Sequence, residues 1–194
     1  MRRKFKVSML FALIIGFGGH LAQAKPLQAL LAGAVQIDVG WSHACAVSSD
    51  GHVYCWGANT FGQLGDGTTT AHSKPTLVNG LVDVESVSAG FGHTCALTVA
   101  NRVYCWGRNN KGQLGDGSTI DQLAPVLLNL RRVRSISVGH DYTCAITSTN
   151  NGNAERLYCW GWNGYGQLGD GSTTDSNQPG IILGISGPQV VSTG

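Results

Sequence analysis

Three glycine-dense phrases, each with an aspartate at its turn, are the part of this sequence best placed to do chemistry. They read YCWGANTFGQLGDGTTT from Tyr54 to Thr70, YCWGRNNKGQLGDGSTI from Tyr104 to Ile120 and YCWGWNGYGQLGDGSTT from Tyr158 to Thr174. A glycine-rich loop can cradle phosphate, but that use needs a following helix and a lysine, and neither follows here. An aspartate between glycines can hold calcium, yet each phrase offers one carboxylate and few further oxygens. The phrases therefore read as structural corners. Gly62, Gly65 and Gly67 and their counterparts permit positive φ, Leu64, Leu114 and Leu168 plug the space between units, and Asp66, Asp116 and Asp170 bond turn amides. No Gly-x-Ser-x-Gly elbow, carboxylate pair on one loop or histidine cluster at ligand spacing is present. The expectation is a protein without catalytic residues, cofactor or metal.

The second chemistry is that of six cysteines. In CAVSSDGHVYC the two cysteines stand symmetrically about Asp50, so a three-residue loop, Ser49-Asp50-Gly51, places Cys45 opposite Cys55 in a hairpin. CALTVANRVYC repeats this with Cys95 opposite Cys105 and Asn101 at the left-handed position. A third hairpin, lengthened by five residues, is flanked by Cys144 and Cys159. Directly opposed positions meet the separation a disulfide needs, so Cys45–Cys55, Cys95–Cys105 and Cys144–Cys159 are expected, one in each unit. The competing reading is buried thiols packing as small apolar residues. Zinc fits poorly, because no Cys-x-x-Cys pair exists.

The elements that must position these residues repeat with the same period. VQIDVG, ESVSAG and RSISVG end at Gly40, Gly90 and Gly139, and each leads to a Cys-Ala pair, a turn and YCWG. Trp56, Trp106 and Trp160 are spaced by 50 and 54 residues. A mostly β repeat near 50 residues points to one propeller blade per unit. In the first unit the strands are expected at Val35–Gly40, Ala44–Ser48, His52–Trp56 and Pro75–Val78. The tryptophans are expected between blades, with an indole N–H that must find a partner.

The phrase G-x-x-H-x-C-A followed by V-Y-C-W-G-x-N-x-x-G-Q-L-G-D-G resembles the repeat of the RCC1 (regulator of chromosome condensation) family, from about Val35 to the end of the chain. The resemblance implies an all-β, RCC1-type β-propeller, a fold usually built from seven repeats. The family includes a nuclear exchange factor for a small GTPase, exported bacterial proteins and a secreted β-lactamase inhibitor of similar fold. Two departures stand out. His43 and His93 match the family histidine, but Tyr142 takes its place in the third unit, so these histidines read as packing and hydrogen-bonding residues. Only three units are present, with blades at about 34–83, 84–133 and 134–187. GISGPQVVSTG (Gly184–Gly194) aligns on GLVDVESVSAG (Gly80–Gly90), so residues 188–194 are expected to be the first strand of a fourth blade. An arc of this kind cannot close on itself, and missing C-terminal blades or self-association would cover its ends.

Compartment and partner follow from the first residues and the charge. MRRKFK, an apolar stretch and AQA at Ala22–Ala24 form an export signal over 1–24, too short to be a comfortable membrane span. An uncleaved anchor is the alternative. Downstream, nine basic residues face eleven acidic ones, a formal charge of about −2. Nucleic acid is thereby disfavoured as a partner, and Arg131, Arg132 and Arg134 read as a solvated loop. If the identical positions are architecture, specificity belongs to the varying loops. Their candidate partner-binding residues are Trp41, Phe61, Phe91, Lys111, His140, Asp141, Trp162 and Tyr165. The expected function is an exported, non-catalytic protein-binding module acting in the periplasm or outside the cell. The alternatives are nucleotide exchange, against which the export signal argues, and an enzyme whose site is assembled across blades. Export predicts a mature chain that begins near Lys25 and has no free thiol. Mass spectrometry without reduction should give three crosslinked peptides, each from one unit, and a main species pairing cysteines of different units would contradict the hairpin register.

Overall fold

The computed structural model describes residues 33–149 and 154–194, so the export signal expected at 1–24 lies outside the described residues. Those residues form strands and no helix. The first antiparallel sheet holds β1 (Ala34–Val39), β2 (His43–Ser48), β3 (Val53–Gly57) and β4 (His72–Leu77) in sequence order. The second holds β5 (Val84–Ala89), β6 (His93–Thr98), β7 (Arg102–Gly107) and β8 (Gln122–Arg131), and the third β9 (Val133–Val138), β10 (Tyr142–Ser148), β11 (Glu155–Gly161) and β12 (Ser176–Ile181). These are the three four-stranded blades expected.

The second strand of each blade is buried almost throughout, because it lies inside its own sheet with neighbouring blades stacked on the sheet faces. Its hairpin partner follows the register read from the cysteines. Cys45 stands opposite Cys55, Cys95 opposite Cys105 and Cys144 opposite Cys159. All three disulfides are formed, with Cα atoms 4.1 Å apart in each. Gly51 takes φ +79°, and Asn101, at the same place in the second hairpin, takes φ +59°, as a three-residue loop requires.

Blades are joined by the corner phrases. The Gln63 backbone carbonyl accepts both the Thr94 hydroxyl and the Trp106 indole N–H of the second blade, each at 2.9 Å. The Gln113 carbonyl does the same for Thr143 at 2.9 Å and Trp160 at 3.0 Å in the third. Gly65 lies against the Trp106 indole so closely that a Cβ there would stand 2.7 Å from Nε1. Leu64 shares a core with Trp106, and Leu114 with Trp160, so both plug the gap between blades as expected. Leu168 packs against Cys144, Cys159 and Ile182.

Two expectations need correction. The fourth strand begins at His72 and ends at Leu77, rather than spanning Pro75–Val78. It is an edge strand, which is where a proline missing its N–H is tolerated, and Pro125 and Pro179 recur at the same place in β8 and β12. Residues 188–194 are not a strand, and among the described residues no strand pairs with them in a ladder. They nevertheless lie along β9. The Gly194 carbonyl accepts the His140 amide, as the Gly90 carbonyl accepts the Trp41 amide, and the Thr193 amide donates to the Ser137 hydroxyl. The alignment of Gly194 with Gly90 thus has a structural counterpart.

Trp106 is fully buried and hydrogen-bonded across a blade boundary. Replacing it with alanine should destabilise the fold by roughly 3–5 kcal/mol, measured as a lowered urea midpoint. An unchanged midpoint would show that the blade junction does not depend on the indole.

Candidate functional site

The asparagine and aspartate side chains of the corner phrases bond chiefly to the turns that carry them. Asp66 accepts the Thr68 amide at 2.9 Å, and its other oxygen meets His72 Nε2 at 2.8 Å. Asn59, buried beneath it, accepts the Leu64 amide and donates to the Thr68 and Thr70 carbonyls. Asp116 with Asn109, and Asp170 with Asn163, repeat the arrangement. The aspartates therefore bond turn amides, as read from the sequence.

Variation is concentrated at the end of the blades where β1, β5 and β9 finish. Trp41, Phe91 and His140 occupy one scaffold position in successive blades, just after the strand-ending glycine. Their rings form a row: Trp41 to Phe91 at 6.0 Å between centroids and Phe91 stacked on His140 at 4.3 Å. The Arg108 guanidinium lies over Phe91 at 5.4 Å and over Phe61 at 5.1 Å, so a cation holds two aromatics from different blades. Asp141 fixes that cation. Its carboxylate accepts Arg108 Nη1 at 3.1 Å, Gln113 Nε2 at 2.9 Å and pairs with His140 Nδ1 at 2.9 Å. Gly92 leaves room for the cluster, since a Cβ there would stand 2.9 Å from the Phe61 ring.

Of the sequence candidates, Trp41, Phe61, Phe91, His140 and Asp141 come together here. Trp162 and Tyr165 form a second group, edge to face at 5.2 Å, reached through the Trp162 amide bound to the Asp141 carbonyl. Lys111 is held apart, paired with Asp175 at 3.3 Å. Trp41 is 77% and Tyr165 87% exposed, so neither caps a blade interior. Arg108 and Gln113 were absent from the candidates. The signal for Arg108 was a long cation in the varying corner loop, and its role depends on which blades are neighbours.

The model of the Regulator of chromosome condensation (RCC1) repeat matches residues 50–97, 100–146 and 155–193, and a second model of the same repeat matches 34–63, 84–113 and 133–167. This chain belongs to the RCC1 repeat family. It is 33% identical to the ultraviolet-B receptor UVR8 of Arabidopsis thaliana over 78% of this chain and 22% of the receptor. It is 35% identical to the probable E3 ubiquitin-protein ligase HERC4 of Homo sapiens over 79% of this chain and 15% of the ligase. The RCC1 chain thus spans less than a quarter of the length of these curated relatives. In fold it is similar to Prp20p of Saccharomyces cerevisiae, with TM-score 0.67 and 24% identity over 77% of this chain and 38% of that one.

The RCC1 histidines lie beneath this end. His43 Nε2 meets the Thr94 hydroxyl of the next blade at 2.8 Å, and His93 meets Thr143 at 2.9 Å. The Nδ1 atoms of both are buried without a hydrogen-bond partner. Burial lowers His43 to a pKa of about 4, opposed by the Asp38 charge, and lowers His93 to about 3, with His43, Arg108 and His140 adding to the effect. Unfolded histidine takes up its proton near pH 6.5, so between there and about pH 4 the unfolded chain binds more protons than the folded one. Stability is fully present above pH 6.5 and falls as the pH drops through that window. Urea melts at pH 7 and 4.5 should differ by about 2–3 kcal/mol for each histidine. His93→Gln should flatten the dependence, and equal stability at the two pH values would show that the histidines are not held neutral.

Proposed function

We propose that this chain is an exported, non-catalytic RCC1 propeller unit that binds a protein partner through the aromatic end of its blades, with blades at 34–83, 84–133 and 134–187. The observation that carries the reading is the row of Trp41, Phe91 and His140 braced by Arg108. Each blade contributes a different side chain at one scaffold position, and aromatic and arginine side chains are the residue types that dominate protein interfaces. Solved neighbours of similar fold favour a protein partner. Prp20p is described with its binding to Gsp1p and histones, and a second structure has Kap60 bound to it. The export signal read over 1–24 and the three disulfides both suit an oxidising compartment and support a partner in the periplasm or outside the cell.

The test uses the mature chain as bait in extracellular and periplasmic extract, followed by affinity measurement with any protein captured. Replacing Trp41, Phe91 and Tyr165 together with alanine should weaken binding by a few kcal/mol in total and leave the melting temperature nearly unchanged. A captured protein that binds the triple variant as tightly as the parent would refute the assignment of this end.

A further inference from the structure

The opposite end of the blades carries a feature of another kind. Of the six arginines that follow Ala24, five (Arg102, Arg131, Arg132, Arg134 and Arg156) lie where β7, β9 and β11 begin and β8 ends. The sixth, Arg108, is at the aromatic end. A chain whose formal charge after Ala24 is slightly negative has therefore gathered its guanidinium groups at one junction, between the second and third blades.

A recess of about 710 Å³ opens there. Arg131, Arg132 and Arg156 line it together with Thr147, Ser148 and the half-buried Tyr158, and its described lining contains no carboxylate. One wall exists because β8 runs to ten residues, where β4 and β12 have six, which brings Arg131 opposite Arg102 in the ladder. Opposed residues of an antiparallel pair share a sheet face, and like charges placed so are destabilising unless something neutralises them. Arg102 also has a buried Nε without a hydrogen-bond partner.

The scaffold does not impose this charge. Asp83 occupies the corresponding position at the junction of the first two blades. Its carbonyl accepts the Val99 amide as the Arg132 carbonyl accepts that of Ser148, and both residues have positive φ, at 56° and 58°. Two positions on, Glu85 corresponds to Arg134. One backbone thus presents acids at one junction and arginines at the next.

We propose that this recess binds a ligand bearing phosphate or sulfate ester groups, with Arg131 and Arg156 as the principal contacts. Guanidinium forks match tetrahedral oxyanions in a bidentate fashion, and the hydroxyls of Ser148 and Tyr158 add donors beside them. A recess of this volume exceeds one oxyanion, so the ligand carries more than the anionic group. The source is a soluble ester or a lipid headgroup, which share this chemistry. The site lies at the other end of the strands from the aromatic row and does not depend on the function proposed for that row.

Calorimetric titration of the mature chain with sodium pyrophosphate at fixed ionic strength is the first test. One saturable site is expected, weakened about tenfold by Arg131→Gln or Arg156→Gln. Arg134→Gln, at an exposed residue outside the recess, should leave it unchanged. Absence of saturable binding overturns the proposal. So does equal weakening by Arg134→Gln, which would mean a response to net charge alone. Co-sedimentation with phosphatidylglycerol vesicles separates the sources. Vesicle binding that pyrophosphate displaces identifies a headgroup ligand, and pyrophosphate binding without vesicle binding identifies a soluble one. Vesicle binding that pyrophosphate cannot displace would place membrane contact elsewhere and overturn the shared site.

Discussion

At each junction between blades, one backbone oxygen binds two side chains of the next blade. The Gln63 carbonyl uses both of its acceptor positions on the next blade, taking a threonine hydroxyl and an indole N–H, and Gln113 repeats this one blade on. The arrangement satisfies a tryptophan donor that burial would otherwise leave unpaired, at a cost of about 1–3 kcal/mol. It also demands a glycine two residues after the glutamine, because the indole face occupies the space a side chain would need. The remaining features of the phrase follow. Asparagine and aspartate shape the turn that presents the carbonyl, and leucine fills the apolar volume beneath it. The first blade, with Ala44 opposite Trp56 where the others pair threonine with tryptophan, has no such clasp on it among the described residues, and Trp56 stays partly exposed.

With the junctions fixed in this way, the two ends of the blades are free to differ. Aromatic rings and one neutralised arginine occupy one end, and the other five arginines that follow Ala24 gather at the other. The His43 and His93 rings lie beneath the first end as neutral, buried bridges from blade to blade. Neutrality is enforced by burial, so these histidines serve the architecture, consistent with the exchange of the residue for Tyr142 in the third unit.

What could be read from the sequence was local or strictly repeated. Cysteines symmetric about a turn determine their own register, and Asn101 replacing Gly51 marks a left-handed position, so the hairpins were legible. The tryptophan's need for a partner was legible, but not the partner, because a backbone carbonyl 43 residues upstream leaves no trace in side-chain type. The start of the fourth strand was not legible, since an edge strand that begins with polar residues lacks apolar alternation. The aromatic row was half legible. Its members are large residues in varying loops, yet Arg108 gains its place only once Phe61 and Phe91 of adjacent blades face each other. Arg131, Arg132 and Arg134 alone look like a solvated loop in the sequence, because Arg156 joins the recess from a different strand.

Of the two matched forms of the family repeat, one begins with the blade and the other is out of phase with it. The offset repeat at residues 50–97 runs from the third strand of one blade into the second strand of the next, carrying the corner and the threonine that donates to it within one unit. A unit framed in this offset way is a joint rather than a blade. Copying or losing one such unit would lengthen or shorten the arc by a blade while every surviving corner still met a matching strand. Such a chain can change its number of blades without passing through a mismatched junction.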